Sequence, residues 1–485
     1  MTSNVDTQSE CAHTHQERKV RERERGTTVA CISVLTDWSL SIRVIPSLIV
    51  TLCHSCTTTG GLSTLPPRVI NTVQAYRFTD VSELASRVPC LPTGDRSRVA
   101  EAALRDARGH DEETSSSSSE NIVITIVDGV FDAALSNLTA AREGISVRST
   151  RDKRSSATAA ASASCGDLQA SVKSHSVFAS LNGACARDAI LIDIAEGANV
   201  EDCVQLVYVS TGEDGTGAAE SLPSTFPRVL VTAGANSSCN ILETFVSAPS
   251  EEGRPCAHLT CPVLEIALER GAEVRHDCLQ QTSKDAFCIR QTCVKQAESS
   301  TYSFTGVDMG SKLARHDLNV MQDGPDTETK LYSFAMVGKN QLVDLHSDVD
   351  LNHPRGATDQ LHKCIVSHPS SRGVFDGSVH VRKPAQLTDA GQMCRSLLLD
   401  RNATVNVKPN LRIHADDVKC THGATISDLE EDELFYLRSR GISYEEARKT
   451  LVFSFGFDIV GRLRSERTRK RIAAALALMV QTFDV

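Results

Sequence analysis

The chain has 485 residues, enough for a large core and two or three domains. Its 61 acidic side chains against 51 basic ones leave a formal charge of −10, which argues against a general nucleic-acid binder while leaving room for a local basic patch. Seventeen cysteines, an odd number without regular spacing, do not suit the disulfide framework of a small secreted domain and read as reduced thiols.

Residues 1–70 read as a leader. Glu17 to Arg25 is strongly charged, and Gly26 to Arg68 is rich in Ser and Thr with Asp37 as its one acidic residue. That texture predicts an organelle-targeting segment, with a disordered extension or a mistaken start site as the alternatives. The most apolar stretch, Trp38 to Leu52, is interrupted by Arg43 and Pro46, and no run reaches the ~18 apolar residues of a membrane span.

Residues 71–172 are expected to form an N-terminal domain with low-complexity insertions. NIVITIVDGVF (121–131) reads as a buried strand, while 105–120, with its serine run from Ser115 to Ser119, and 149–166 read as linkers.

From about 173 to 425 short β-branched runs recur, among them AILIDIAEGANV, VQLVYV, RVLVTAGANS, VLEIALERGAEV and GSVHVRKPAQ. Each breaks at Gly, Asn or Asp after five to seven residues, and no long amphipathic helix intervenes. Gly-Ala pairs at Gly197, Gly234 and Gly271 suggest a repeat of 37 residues. A stack of parallel strands joined by short turns, a β-helix, fits better than a β-sandwich.

Residues 426–485 turn helical. Ser427 with Glu430, and Ser443 with Glu446, fit capping boxes, and Gly441 fits a helix stop. Ala447, Leu451, Phe455, Ile459 and Leu463 form an apolar stripe that caps the solenoid or docks a partner. The basic run Arg462 to Arg471 reads as a solvated helix face or a contact for an acidic partner.

Few motifs carry chemistry. GVDMGSK (306–312) is not a phosphate loop, because Ser311 separates the glycine from the lysine, so no nucleotide site is expected. Cys53 with Cys56, Cys256 with Cys261 and Cys288 with Cys293 match metal spacing only loosely and read as independent thiols. In ADDVKCTHGAT (415–425), a strand would put Val418, Cys420 and His422 on one face. Thiol and imidazole would then stand ~7 Å apart, and both suit iron, though two ligands do not fill a cluster site.

The span 371–459 resembles the SufBD family, and within it the SufD branch. The resemblance rests on VFDGSVHVRKPAQLTDAGQMCRSLLLDRNATVNVKPNLRIHADDVKCTHGAT followed by LFYLRSRGISYEEARKTLVFSFGFDIV. Weaker likeness extends upstream to YRFTDVSEL, SLNGACARD, PRVLVTAGANSS and RHDLNV. The resemblance implies a right-handed parallel β-helix between an N-terminal α/β or helical domain and a C-terminal helical domain.

It further implies a non-enzymatic scaffold subunit of iron–sulfur cluster assembly, paired with a SufB-like paralogue and a SufC-like ATPase. A transient cluster or iron would sit at the partner interface, with His422 as the ligand, Cys420 beside it and no nucleotide on this chain. The ATPase contact falls on about 426–463, with Leu451, Phe455 and Ile459 as its apolar stripe. SufB-like chains carry a cysteine and a glutamate where this chain has Ile413 and Gly423. Plastid stroma is the expected compartment, with cytoplasm as the alternative. The rival functions are a β-helix carbohydrate-acting enzyme, for which the adjacent Asp416 and Asp417 make a poor acid–base pair on a strand, and a regulatory homodimer formed when the chain is alone.

Overall fold

The computed structural model describes residues 78–90, 92, 100–101, 103, 122–138, 144–151, 176–212, 221–248 and 256–482. The leader, Trp38, Cys53, Cys56 and the linkers 105–120 and 152–166 lie outside the described residues. The chain divides into two compact units, 1–86 and 87–485. In the first, the described element is a short helix, Ser82–Ser86. The second holds a parallel β-solenoid.

Each turn contributes one strand to each of two sheets. The first sheet ends on Thr404–Ile413 and the second on Val418–Ser427. Alternate residues face the lumen, which is why β-branched runs dominate. One lumen row of the first sheet reads Ile192, Val231, Ile266, Val294, Val320, Val349, Val379 and Leu411, in register across eight strands. Burying each such side chain is worth ~1.5–3 kcal/mol, so the lumen is the core of the solenoid.

Adjacent coils lock at one corner. Gly197, Asn236, Gly271, Ser299, Asp326, Arg355 and Leu387 all have left-handed φ, between 54° and 69°, one or two residues before a strand of the second sheet. Each donates its N–H to the residue just before the equivalent corner of the next coil. The bonds run Gly197 to Ala235 (2.8 Å), Asn236 to Arg270 (2.8 Å), Gly271 to Glu298 (2.9 Å) and Ser299 to Pro325 (2.9 Å). They continue from Asp326 to Pro354 (3.2 Å), Arg355 to Gln386 (2.9 Å) and Leu387 to Asp417 (2.6 Å). The regular 37-residue spacing is therefore corrected. Gly197 and Gly271 are true corners, the corner between them is Asn236, and Gly234 serves a different need two residues earlier.

The two ends of the solenoid differ. At the start, Ile145–Ser149 pairs antiparallel with Ile190–Ile194, and Ile122–Val127 joins the second sheet beside Asn199–Ser210. Ile122–Val127 also forms a hairpin with Val130–Asn137. Asp128 (φ 49°) and Gly129 (φ 79°) supply the two left-handed residues that such a tight turn requires. Thus part of 71–172 continues the solenoid. At the far end no described strand covers Thr404–Ile413 or Val418–Ser427.

The C-terminal helices Glu431–Ser439, Tyr444–Val460 and Glu466–Thr482 follow. Ser443 caps the second, accepting from the Glu446 N–H at 3.2 Å, and Gly441 (φ 88°) ends the first, as the sequence predicts. The Ser427 capping box is corrected. Ser427 closes the last strand, and the helix starts after Glu430 without a side-chain cap. The apolar outer face of the second sheet, around Leu279, Val307, Phe334, Met336, Ile365 and Leu397, is covered by Val452, Ile459, Leu463, Ile472, Leu476 and Val480.

A Cβ on Gly234 would stand 2.7 Å from Glu196 N and 2.9 Å from Ile194 O, both backbone atoms of the adjoining coil. A Cβ on Gly391 meets nothing nearer than Thr421 Oγ1 at 3.9 Å. Gly234→Ala is expected to cost about 2 kcal/mol or more, and Gly391→Ala less than about 0.5 kcal/mol. Denaturant unfolding of the two variants checks this, and equal midpoints would contradict the close-approach account.

Candidate functional site: the open solenoid end and the C-terminal helices

His422 and Cys420 lie on the terminal strand, as expected. The register sets Val418, Cys420, His422, Ala424 and Ile426 over the buried Thr388, Ala390, Gln392, Cys394 and Ser396. They point along the lumen row, but no further coil covers them. Val418 and Cys420 still pack on the core, whereas His422 is exposed. Opposite, Val407 and Leu411 pack on the core and Ile413 is 43% exposed. The result is an apolar rim with two unpaired strand edges, carrying one imidazole and one thiol.

Burial pushes the Cys420 thiol above its ordinary range, and the Asp389 carboxylate adds to this. The thiol form is therefore favoured, which makes Cys420 the weaker ligand of the two. Beneath His422, Gln392 donates to Gln360 Oε1 at 2.8 Å, and Gln360 donates to Ser347 Oγ at 2.7 Å. These bonds hold a rigid polar floor under the histidine. Gly423 faces the other way, and a Cβ there would meet Met393 Cε at 2.8 Å. A larger residue at 423 would have to displace the flexible methionine. Asp416 and Asp417 stand in the turn between the terminal strands rather than on a strand, and the Asp417 carbonyl takes the last corner hydrogen bond.

The apolar stripe of the second helix is largely internal. Ile459 is fully buried, and Leu451 and Phe455 are half-buried. Lys363 pins this segment. Its Nζ lies 2.7 Å from Asp458 Oδ2, donates to the Phe455 carbonyl at 3.2 Å and stands 4.5 Å from the Phe455 ring centroid. Gly456 lets the helix close on Phe334, since a Cβ there would be 2.7 Å from that ring. What the helices leave exposed is a different set. Phe435 is 72% exposed, Tyr436 58% and Tyr444 49%. The first two follow the acidic run Glu430 to Glu433 in sequence, and the Tyr444 ring centroid lies 5.8 Å from the guanidinium carbons of Arg438 and Arg448. Of the helix Glu431–Ser439, only Leu434 is buried. The helical hairpin was legible in the sequence. Which face it presents was not, because periodicity marks an apolar stripe without saying what covers it.

The paired thiols separate. Cys288 and Cys293 lie five residues apart on the strand Phe287–Gln296 and so face opposite sides. Cys261 is buried and Cys256 half-buried. Residues 306–312 end one strand and turn into the next, with Ser311 in the left-handed region (φ 63°). Among the described residues, one group of side chains has metal-ligand proximity, Glu243, His276 and Cys278 inside the lumen. Sequence reasoning passed over it. The available signal was the His-x-Cys alternation in RHDC, a mirror of the Cys-x-His at 420–422.

The described residues thus form a parallel solenoid with one end that no described strand covers and C-terminal helices packed on the outer face of its second sheet. Residues 215–455 match the family model described as SUF system FeS cluster assembly, SufBD core domain. The chain belongs to the SufBD family, on its SufD branch. It is 47% identical over 296 residues to "Protein ABCI7, chloroplastic" of Arabidopsis thaliana, covering 61% of each chain. It is 36% identical over 292 residues to an iron–sulfur cluster assembly SufBD family protein of Synechocystis sp., covering 60% of this chain and 63% of that protein. To the iron–sulfur cluster assembly protein SufD of Escherichia coli it is 27% identical over 300 residues, covering 62% and 69%. The matched part thus spans about three fifths of the first two relatives.

The Lys363 ammonium is nearly enclosed, whereas Asp458 is 44% exposed. Lys363→Ala is expected to lower stability by about 1–3 kcal/mol, and Asp458→Asn by less. The hydrogen bond from Lys363 holds the Asp458 carboxyl below the usual aspartate range despite its partial burial. The stabilisation that depends on its charge is therefore present above that range and lost as pH falls through the lowered value. The Lys363→Ala penalty should shrink in acid. Thermal unfolding from neutral to acid pH checks this, and a pH-independent penalty would contradict it.

Proposed function

We propose that this chain is a non-catalytic scaffold subunit of SUF iron–sulfur cluster assembly, a SufD-type partner acting in the plastid stroma. It pairs through its open solenoid end with a SufB-like paralogue, and its C-terminal helices hold a SufC-like ATPase. The observation that carries the reading is the uncapped end itself. Two strand edges with unpaired backbone groups and an apolar rim invite another sheet, and the rim sets His422 where a second chain would close over it. The nascent cluster or iron is cargo, shared between His422 and ligands of the partner. Without the paralogue, the same rim favours a homodimer. The plastid assignment is supported by the name of the Arabidopsis relative.

For the ATPase, the exposed Phe435, Tyr436 and Tyr444 are the better docking candidates. Leu451, Phe455 and Ile459 support the helix from beneath. Phe455→Asp would disturb the Lys363 contact, so Phe435→Asp is the informative substitution. It is expected to weaken ATPase binding at least about tenfold without changing the fold. Unchanged affinity would move the contact elsewhere.

His422→Ala should leave folding and complex assembly nearly intact, since its side chain is exposed, while the iron and sulfide content of the reconstituted complex falls severalfold. Cys420→Ser should have the smaller effect. Co-purification with the two partners followed by anaerobic reconstitution measures both. A His422→Ala complex that assembles and fills like wild type would remove the ligand role.

A further inference from the structure

Deep in the lumen, far from the open end, three different ligand types converge. Glu243 comes from Ser238–Ser247, and His276 and Cys278 from the adjoining Glu273–Gln281, with Cys278 in register beside Glu243. One donor atom of each lies within 4.8 Å of the others, and all three residues are buried. Glu243 Oε2 and His276 Nε2 are 3.0 Å apart.

Every one of the three is also held from behind. The Tyr208 hydroxyl donates to Glu243 Oε1 at 2.7 Å, the Tyr302 hydroxyl bonds His276 Nδ1 at 3.0 Å, and Arg290 Nη1 donates to Cys278 Sγ at 3.0 Å. A carboxyl and an imidazole, each oriented by a second residue through the atom that does not face the site, and a thiol whose single sulfur accepts from an arginine form the kind of arrangement that fixes metal ligands. It is more than three buried groups need merely to satisfy one another.

Charge points the same way. Arg290 pairs with Asp308, so those two cancel. Beside them stand the Glu243 carboxyl, the His276 imidazole and the Cys278 thiol. One carboxylate and one thiolate together match the charge of a divalent ion.

We propose that Glu243 Oε2, His276 Nε2 and Cys278 Sγ bind one divalent transition-metal ion of the zinc or ferrous class. Mixed oxygen, nitrogen and sulfur donors suit these ions. On binding, the S–H bond of Cys278 breaks and its proton goes to solvent. The imidazole proton sits on Nδ1, donated to the Tyr302 hydroxyl oxygen, and the Glu243–His276 hydrogen bond gives way to two metal bonds. The site is distinct from the open end. His276 and His422 occupy one row, five strands apart through Phe304, Leu331, Gln360 and Gln392, so about 24 Å at ~4.8 Å per strand.

Because the chamber is closed, the ion must load as the chain folds. The test is anaerobic refolding of the full chain with Co²⁺ as probe. One cobalt per chain with a near-ultraviolet thiolate-to-cobalt charge-transfer band is expected, displaced by Zn²⁺. The band should vanish in Cys278→Ser and persist in Cys420→Ser and His422→Ala. Glu243→Gln, which keeps the size of the side chain, should weaken binding at least about tenfold and abolish the rise in melting temperature that the metal produces in wild type. This arm stands even if Cys278→Ser does not fold. No band, a band that survives Cys278→Ser, or cobalt affinity unchanged by Glu243→Gln would each overturn the proposal, the last two as adventitious metal only.

Discussion

One hydrogen bond, repeated at one corner, sets the rest of the molecule. Each coil turns into the second sheet through a residue in the left-handed region, and the N–H of that residue reaches the carbonyl just before the equivalent residue of the next coil. The left-handed turn is unfavourable by ~1–2 kcal/mol for a residue with a Cβ. The chain tolerates it at Ser299, Asp326, Arg355 and Leu387, because stacking repeats the bond and aligns both ladders at once. With the corner fixed, alternate residues fall on lumen and surface, and a continuous aliphatic core follows.

The same ladder sets the two ends of the solenoid apart. A stack with a fixed corner has two ends, and each presents backbone groups with no coil above them. At the beginning, antiparallel strands and the Asp128-Gly129 hairpin close it. At the other end, Leu387 donates to the Asp417 carbonyl, and no described strand covers Thr404–Ile413 or Val418–Ser427, the strand that bears Cys420 and His422. The helices that follow turn aside to cover the outer face of the second sheet instead of the end. Lys363 and Gly456 hold them there, so the rim stays available to another chain.

How much of this could be read from sequence follows the same physics. The strands were legible because a lumen selects β-branched residues with period two. The terminal Cys-x-His was legible for the same reason, since spacing alone puts both on one face. The corner was legible only where it is glycine. Gly197 and Gly271 stand out, but Asn236, Ser299, Asp326 and Leu387 fill the same role without a common side chain, so a misleading 37-residue period emerged. The Glu243–His276–Cys278 group was hidden because Glu243 joins it from the adjoining coil, so the local His-x-Cys pattern marks two of its members and not the third. The exposed Phe435 and Tyr444 were missed because helical periodicity drew attention to Leu451 and Ile459, whose partners lie within this chain.

The central claim is that the open end is an interface. Hydrogen exchange of the chain, alone at high dilution and then mixed with a SufB-like protein, tests this most directly. The amides of 404–413 and 418–427 that point away from the preceding coil should exchange fast in the isolated chain, as unpaired edges do, and become protected on binding. Protection confined to other surfaces, with these two strands exchanging as before, would contradict it.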